Sequence, residues 1–99
     1  MSDILKVAII GGHRIPFVRS NTAYNHASNM QMLTATLQGL VERFNLRGER
    51  IGEVAAGAVM KHSRDFNLAR EATLDSGLSA QTPAYDIQQA CGTGLEAAI

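Results

Sequence analysis

The chain is predicted to fold as an α/β domain with a mainly parallel sheet. Three observations predict this. Short apolar runs alternate with stretches of helical spacing, giving the order β-α-β-α-β-α, and strands alternating with helices imply right-handed parallel crossovers. The 99 residues are the size of one small domain. Hydrophobic residues make up 45% and charged residues only 18%, below the typical charged share of about 25%, so much of the surface is built to be covered.

The elements follow in order. Leu5–Ile10 (LKVAII) is a continuous apolar run, the pattern of a strand buried on both faces. Gly11 and Gly12 end it, and Pro16 blocks an immediate helix. Residues 13–27 read as a long polar connection. Met30, Leu33, Leu37, Leu40, Val41 and Phe44 then mark one face of a helix, expected to be core. Ser28 and Gln31 match a capping box ahead of it, and Asn45 and Gly48 offer its end. Glu53–Met60 (EVAAGAVM) reads as a central strand whose small side chains let a helix approach closely. Asn67 is a good N-cap for a second helix running to Ser76, with Gly77 as its stop. Pro83 opens a third strand, Ala84–Gln88, and Leu95, Ala98 and Ile99 begin a third helix. The chain ends about two turns into that helix, so residues 1–99 are expected to form the front of a longer protein.

Composition excludes several functions. Lys plus Arg and Asp plus Glu are 9 each, which gives no electrostatic reason to bind nucleic acid or anionic membranes. No apolar run approaches the roughly 20 residues of a transmembrane segment. Met1–Lys6 carries Asp3 and leads into an apolar run too short for a signal peptide, so a cytoplasmic protein is expected. A single cysteine makes no internal disulfide and fits a reducing compartment. His13, His26 and His62 have no partners at metal-ligand spacing, so no metal is expected. Arg14, Arg19, Lys61 and Arg64 read as solvated, and Arg70 and Glu71 as surface or local ion-pair residues.

The chemistry concentrates at Gln89-Ala90-Cys91-Gly92-Thr93-Gly94-Leu95-Glu96-Ala97. Cys91 falls between the third strand and the third helix. A thiol at a helix start faces unpaired amides and the positive end of the dipole, which favours the thiolate. Gly92 and Gly94 remove side chains near the sulfur, so a thioester could approach backbone amides able to hold an oxyanion. Two other readings stand beside this one. A free cysteine often packs as a small hydrophobe. Gly92-Thr93-Gly94-Leu95-Glu96-Ala97 also fits the dinucleotide fingerprint G-x-G-x-x-A, although that motif belongs after the first strand of its unit.

The sequence resembles the thiolases. Arg14-Ile15-Pro16-Phe17 is similar to the family's Arg-Thr-Pro-Phe/Ile segment, and Asn67-Leu68-Ala69-Arg70 to Asn-Pro-Ala-Arg. Gly77-Leu78 and Pro83-Ala84 fall where the family has Gly-Leu and Pro-Ala. Cys91-Gly92-Thr93-Gly94-Leu95-Glu96-Ala97 is similar to Cys-Gly-Ser-Gly-Leu-Gln-Ala. Ile15, Leu68, Thr93 and Gln88 depart from the pattern and bear on the subfamily. The resemblance implies an acyltransferase in which Cys91 carries the acyl group as a thioester. Coenzyme A would serve as substrate rather than bound cofactor, and the complete protein would be a homodimer or higher homo-oligomer. The family also uses a His in Gly-His-Pro and a second cysteine. No His here is followed by Pro, and Cys91 is the one cysteine, so the 99 residues alone are expected to be inactive. A decarboxylating ketoacyl synthase of the same fold, or a nucleotide-binding α/β module, is the alternative.

Overall fold

The computed structural model describes residues 5–99. The start of the chain, read above as carrying no signal peptide, lies partly outside them. The elements are α1 (Asn29–Arg43), β1 (Val54–Ala56), α2 (Leu68–Asp75), β2 (Ala84–Asp86), a 3-10 turn (Ala90–Gly92) and α3 (Thr93–Ala98). β1 and β2 pair in parallel, with Val54 opposite Ala84, Ala55 opposite Tyr85 and Ala56 opposite Asp86. The α/β class and the parallel sheet therefore hold.

Both long helices begin where their caps are written. The Ser28 hydroxyl accepts from the Gln31 amide at 3.1 Å, and the Gln31 side chain accepts from the Ser28 amide at 2.9 Å, so two amides without helical partners are satisfied. Asn45, just past α1, has φ +55°. The Asn67 Oδ1 atom caps α2 by accepting from Arg70 N at 2.9 Å. Gly77 follows α2 with φ +99°, a conformation that costs a residue with a Cβ but not glycine. Its carbonyl accepts from the Gly48 amide at 2.7 Å, which joins the two helix ends.

The first predicted strand is not formed. Leu5–Ile10 has no strand pairing, and Leu5, Val7, Ile9 and Ile10 are exposed. A strand needs a neighbour to take its amides and carbonyls, and among the described residues β1 pairs with β2 alone. The order is thus α-β-α-β-α after an unpaired N-terminal segment. The reading of Glu53–Met60 as a central strand shrinks for the same reason to Val54–Ala56 in a two-stranded sheet, and the third strand closes at Asp86 instead of Gln88.

The core lies between α2, the sheet and the C-terminal half of α1. Val41, Val54, Ala69 and Leu78 form its buried centre, with Leu46, Ile51, Ala56 and Ala84 packed around it. Of the α1 stripe only Val41 is fully buried, because α2 covers one side of that helix and little covers the rest. Residues 11–13 cross α1 instead. The Phe44 ring sits where a Cβ on Gly11 would be 2.4 Å away, and His13 lies so close to Gly39 that a Cβ there would meet its Nε2 at 2.0 Å. Arg43 Nη1 donates to the Gly12 carbonyl at 2.9 Å.

Gly57, just after β1, meets the end of β2. A Cβ there would lie 2.0 Å from the Ile87 carbonyl oxygen and 2.7 Å from Thr93 Cγ2. A backbone oxygen cannot swing aside as a side chain can. Gly57→Ala is therefore expected to destabilise the fold by about 2–3 kcal/mol. Urea unfolding checks this, and an unchanged midpoint would contradict it.

Candidate active site

The path from β2 to α3 is built to turn sharply. After Asp86, the Ile87 amide donates to the Ala56 carbonyl at 2.9 Å, and Gln88 Nε2 donates to the Val59 carbonyl at 3.0 Å. These bonds hold the strand's exit against the segment after β1. Gln89 is extended in φ (−138°), and Ala90 then adopts φ +45°. A non-glycine residue in the left-handed region is strained by about 1 kcal/mol or more and persists only where its surroundings hold it.

Thr93 is what holds it. Its hydroxyl accepts from the Gln89 amide at 2.8 Å and donates to the Ala90 carbonyl at 2.7 Å. The residue is 4% exposed, and its methyl rests over Gly57. The Gly92 amide donates to the Gln89 carbonyl at 2.8 Å, and the Thr93 amide donates to the Ala90 carbonyl. Those two amides are spent inside the turn.

Cys91 sits at the middle of this turn and is exposed. It is thus not packed into the described core, and it precedes α3 by two residues rather than opening that helix. A Cβ on Gly92 would meet only the Gln89 Cβ, at 4.0 Å, and one on Gly94 would meet nothing within 4 Å. Packing within the described residues does not require either glycine. An apolar groove lined by Ala8, Ile10, Gly11, Leu40, Phe44 and Leu46 does not include the thiol.

Beneath the turn lies an ionic junction that the sequence reading did not find. The Asp86 carboxylate, at the end of β2, accepts from the α2 amides of Leu68 at 2.9 Å and Ala69 at 2.6 Å, and from Lys61 Nζ. Together with Asn67, which takes the Arg70 amide, it satisfies the first-turn donors of α2. Partial burial works to raise the Asp86 pKa. The Lys61 hydrogen bond and the two amides outweigh it, so the carboxyl titrates below its ordinary 3.8. Lys61, expected in solvent, is half-buried in this pair. Arg70 also leaves its expected surface role: it donates through Nη1 to the Thr82 carbonyl at 2.5 Å and through Nη2 to the Ala80 carbonyl, which ties α2 to the approach of β2.

The histidines do not converge on Cys91. His13 lies over α1, and His26 and His62 line one cavity with Arg64. His62 Nδ1 accepts from the Arg64 amide at 3.1 Å, the local bond expected of a loop histidine. Among the described residues no cluster of His, Cys, Asp and Glu could hold a metal ion, and no helix is long and apolar enough to cross a membrane.

Fold and site together define an α/β domain that presents a single thiol on a strained turn between a parallel strand and a helix. The family description "Thiolase, N-terminal domain" matches residues 7–99, and the chain belongs to the thiolase family. Among its relatives, the 3-ketoacyl-CoA thiolase of Photorhabdus laumondii is 35% identical over 92 residues, covering 93% of this chain and 21% of that protein. The 3-ketoacyl-CoA thiolase of Vibrio cholerae is 32% identical over 94 residues, covering 95% and 22%. The mitochondrial trifunctional enzyme subunit beta of Mus musculus is 34% identical over 89 residues, covering 90% and 19%. The chain thus spans about a fifth of the length of the curated relatives it matches.

Proposed function

We propose that residues 1–99 are the N-terminal part of a thiolase that cleaves a 3-ketoacyl-CoA, or runs the reverse condensation, through an acyl-cysteine at Cys91. The observation that carries this reading is an exposed thiol, on a turn followed by Gly92 and Gly94, inside a chain matched to the family from residue 7 to residue 99. The family match favours this reading over the ketoacyl synthase and over a nucleotide-binding module.

The Cys91 thiolate adds to the keto carbon of the substrate. The Cα–Cβ bond then breaks, and its electron pair leaves with the acetyl-CoA carbon, which takes a proton. The acyl group stays on sulfur as a thioester. The thiol of a second coenzyme A attacks that thioester, releases the shortened acyl-CoA and returns Cys91. The family resemblance gives the oxyanion contact of this segment to the Cys91 amide, and the neighbouring Gly92 and Thr93 amides are occupied in the turn. The proton-transfer groups lie outside these 99 residues. A homodimer or higher homo-oligomer and a cytoplasmic location belong to the same proposal, although relatives include proteins named as mitochondrial.

Incubating the complete protein with an acyl-CoA and mapping the labelled peptide tests the reading. A thioester on Cys91 is expected, and an unlabelled Cys91 would overturn it. The isolated 99 residues are expected to show no cleavage of acetoacetyl-CoA and to self-associate, because Leu5–Ile10 and both sheet edges are uncovered. Light scattering and a turnover assay check both outcomes.

A further inference from the structure

We propose that Thr93 is a positioning residue for Cys91. Its hydroxyl clamps the strained turn that carries the sulfur, and its methyl is held by Gly57 at the end of β1. The proposal rests on Cys91 being the nucleophile and adds to it the group that fixes where the sulfur stands.

The geometry gives the hydroxyl two tasks at once. It accepts from the Gln89 amide at 2.8 Å and donates to the Ala90 carbonyl at 2.7 Å. Those two groups flank the Gln89–Ala90 link, immediately before the nucleophile, and Ala90 is the residue at φ +45°. Without the hydroxyl, the amide has lost its acceptor and the left-handed turn has lost the contact that offsets its strain. Ala90 would relax toward an ordinary conformation, and Cys91, the next residue, would move with it.

The methyl favours the side-chain orientation in which the hydroxyl makes both bonds. Thr93 is 4% exposed, and Thr93 Cγ2 would lie 2.7 Å from a Cβ on Gly57. The methyl therefore occupies the space that the glycine leaves. β1 thereby reaches the nucleophile turn through Gly57 and Thr93 without touching the sulfur.

Threonine separates the two functions cleanly. Thr93→Val keeps the shape and removes the hydroxyl, whereas Thr93→Ser keeps the hydroxyl and removes the methyl. In the complete protein, Thr93→Val is expected to lower kcat for thiolysis about 10- to 100-fold with KM within about twofold, as befits a misplaced nucleophile. Thr93→Ser is expected to stay within about threefold of the parent in kcat. Equal kcat in the Val variant and the parent would overturn the proposal, as would equal losses in Val and Ser. Should the Val variant not fold, Thr93→Ala, which removes both groups, is compared with Thr93→Ser on the same criterion.

A second readout does not depend on thiolysis. Iodoacetamide alkylation of Cys91, followed by peptide mapping across a pH series, is expected to give a profile in Thr93→Val that differs from the parent, while Thr93→Ser follows the parent. Superimposable profiles in all three would overturn the proposal. An unacylated Cys91 in the parent, with alkylation profiles that still separate Val from Ser, would instead reject the thiolase reading and leave the clamp standing.

Discussion

Replacing Cys91 by Ala is expected to lower acyl transfer by at least about 10⁴-fold, with stability unchanged within about 0.5 kcal/mol. The size follows from the proposed route, in which every turnover passes through a thioester on Cys91, the one cysteine among these 99 residues. Cys91→Ser is expected to be almost as inactive, since a hydroxyl needs strong activation to attack where a thiolate does not. The small stability cost follows from exposure. The side chain is not packed into the core, and the turn is held by Gln89, Ala90 and Thr93 rather than by the sulfur. Steady-state rates, acyl-peptide mapping and thermal melting on one preparation check this. A Cys91→Ala protein retaining a tenth of the parent rate would remove Cys91 from the mechanism.

The second large effect falls on stability. Asp86→Ala is expected to cost about 3 kcal/mol, because it leaves two α2 amides and the Lys61 ammonium without their acceptor at once. Asp86→Asn keeps one acceptor oxygen and loses the charge, so a smaller cost is expected. The two variants also differ from the parent in pH dependence. The Asp86 pKa is lowered in the folded state below its ordinary 3.8. Its stabilisation is therefore fully present above that value and is lost as the pH falls through the folded pKa. The gap between parent and Asp86→Asn should be constant near neutrality and close below about pH 3.8. Urea midpoints over a pH series measure it, and a gap that widens in acid would show that Asp86 is not held as the anion.

What was legible in the sequence is what is decided locally. Ser28 with Gln31, Asn67 and Gly77 each complete a hydrogen-bond or backbone requirement within four residues, and all four behave as written. Leu5–Ile10 reads as strongly as any strand, but being a strand is a property of pairs, and no partner lies among the described residues. Asp86 was invisible because its partners stand 17 to 25 positions away. Cys91 stood out through the glycines around it. The strain beside it did not, since nothing about an alanine announces a positive φ. Thr93 showed only as a departure from a family serine. Its hydroxyl reaches back three and four residues, to Ala90 and Gln89, while its methyl packs against Gly57, 36 positions earlier in the chain.

The uncovered Leu5–Ile10 segment has a consequence for the cell that makes the protein. Ribosomes add about 5 to 20 residues per second, so these six residues emerge ahead of α1, β1, α2 and β2 and stand unpaired for seconds while those elements are translated. They combine β-branched side chains with a single charge and no proline, the makeup of a segment prone to intermolecular stacking. During that interval the nascent chain exposes an apolar stretch that can pair with another copy before its own elements form. Lys6 is the one charged residue within the segment that opposes premature association.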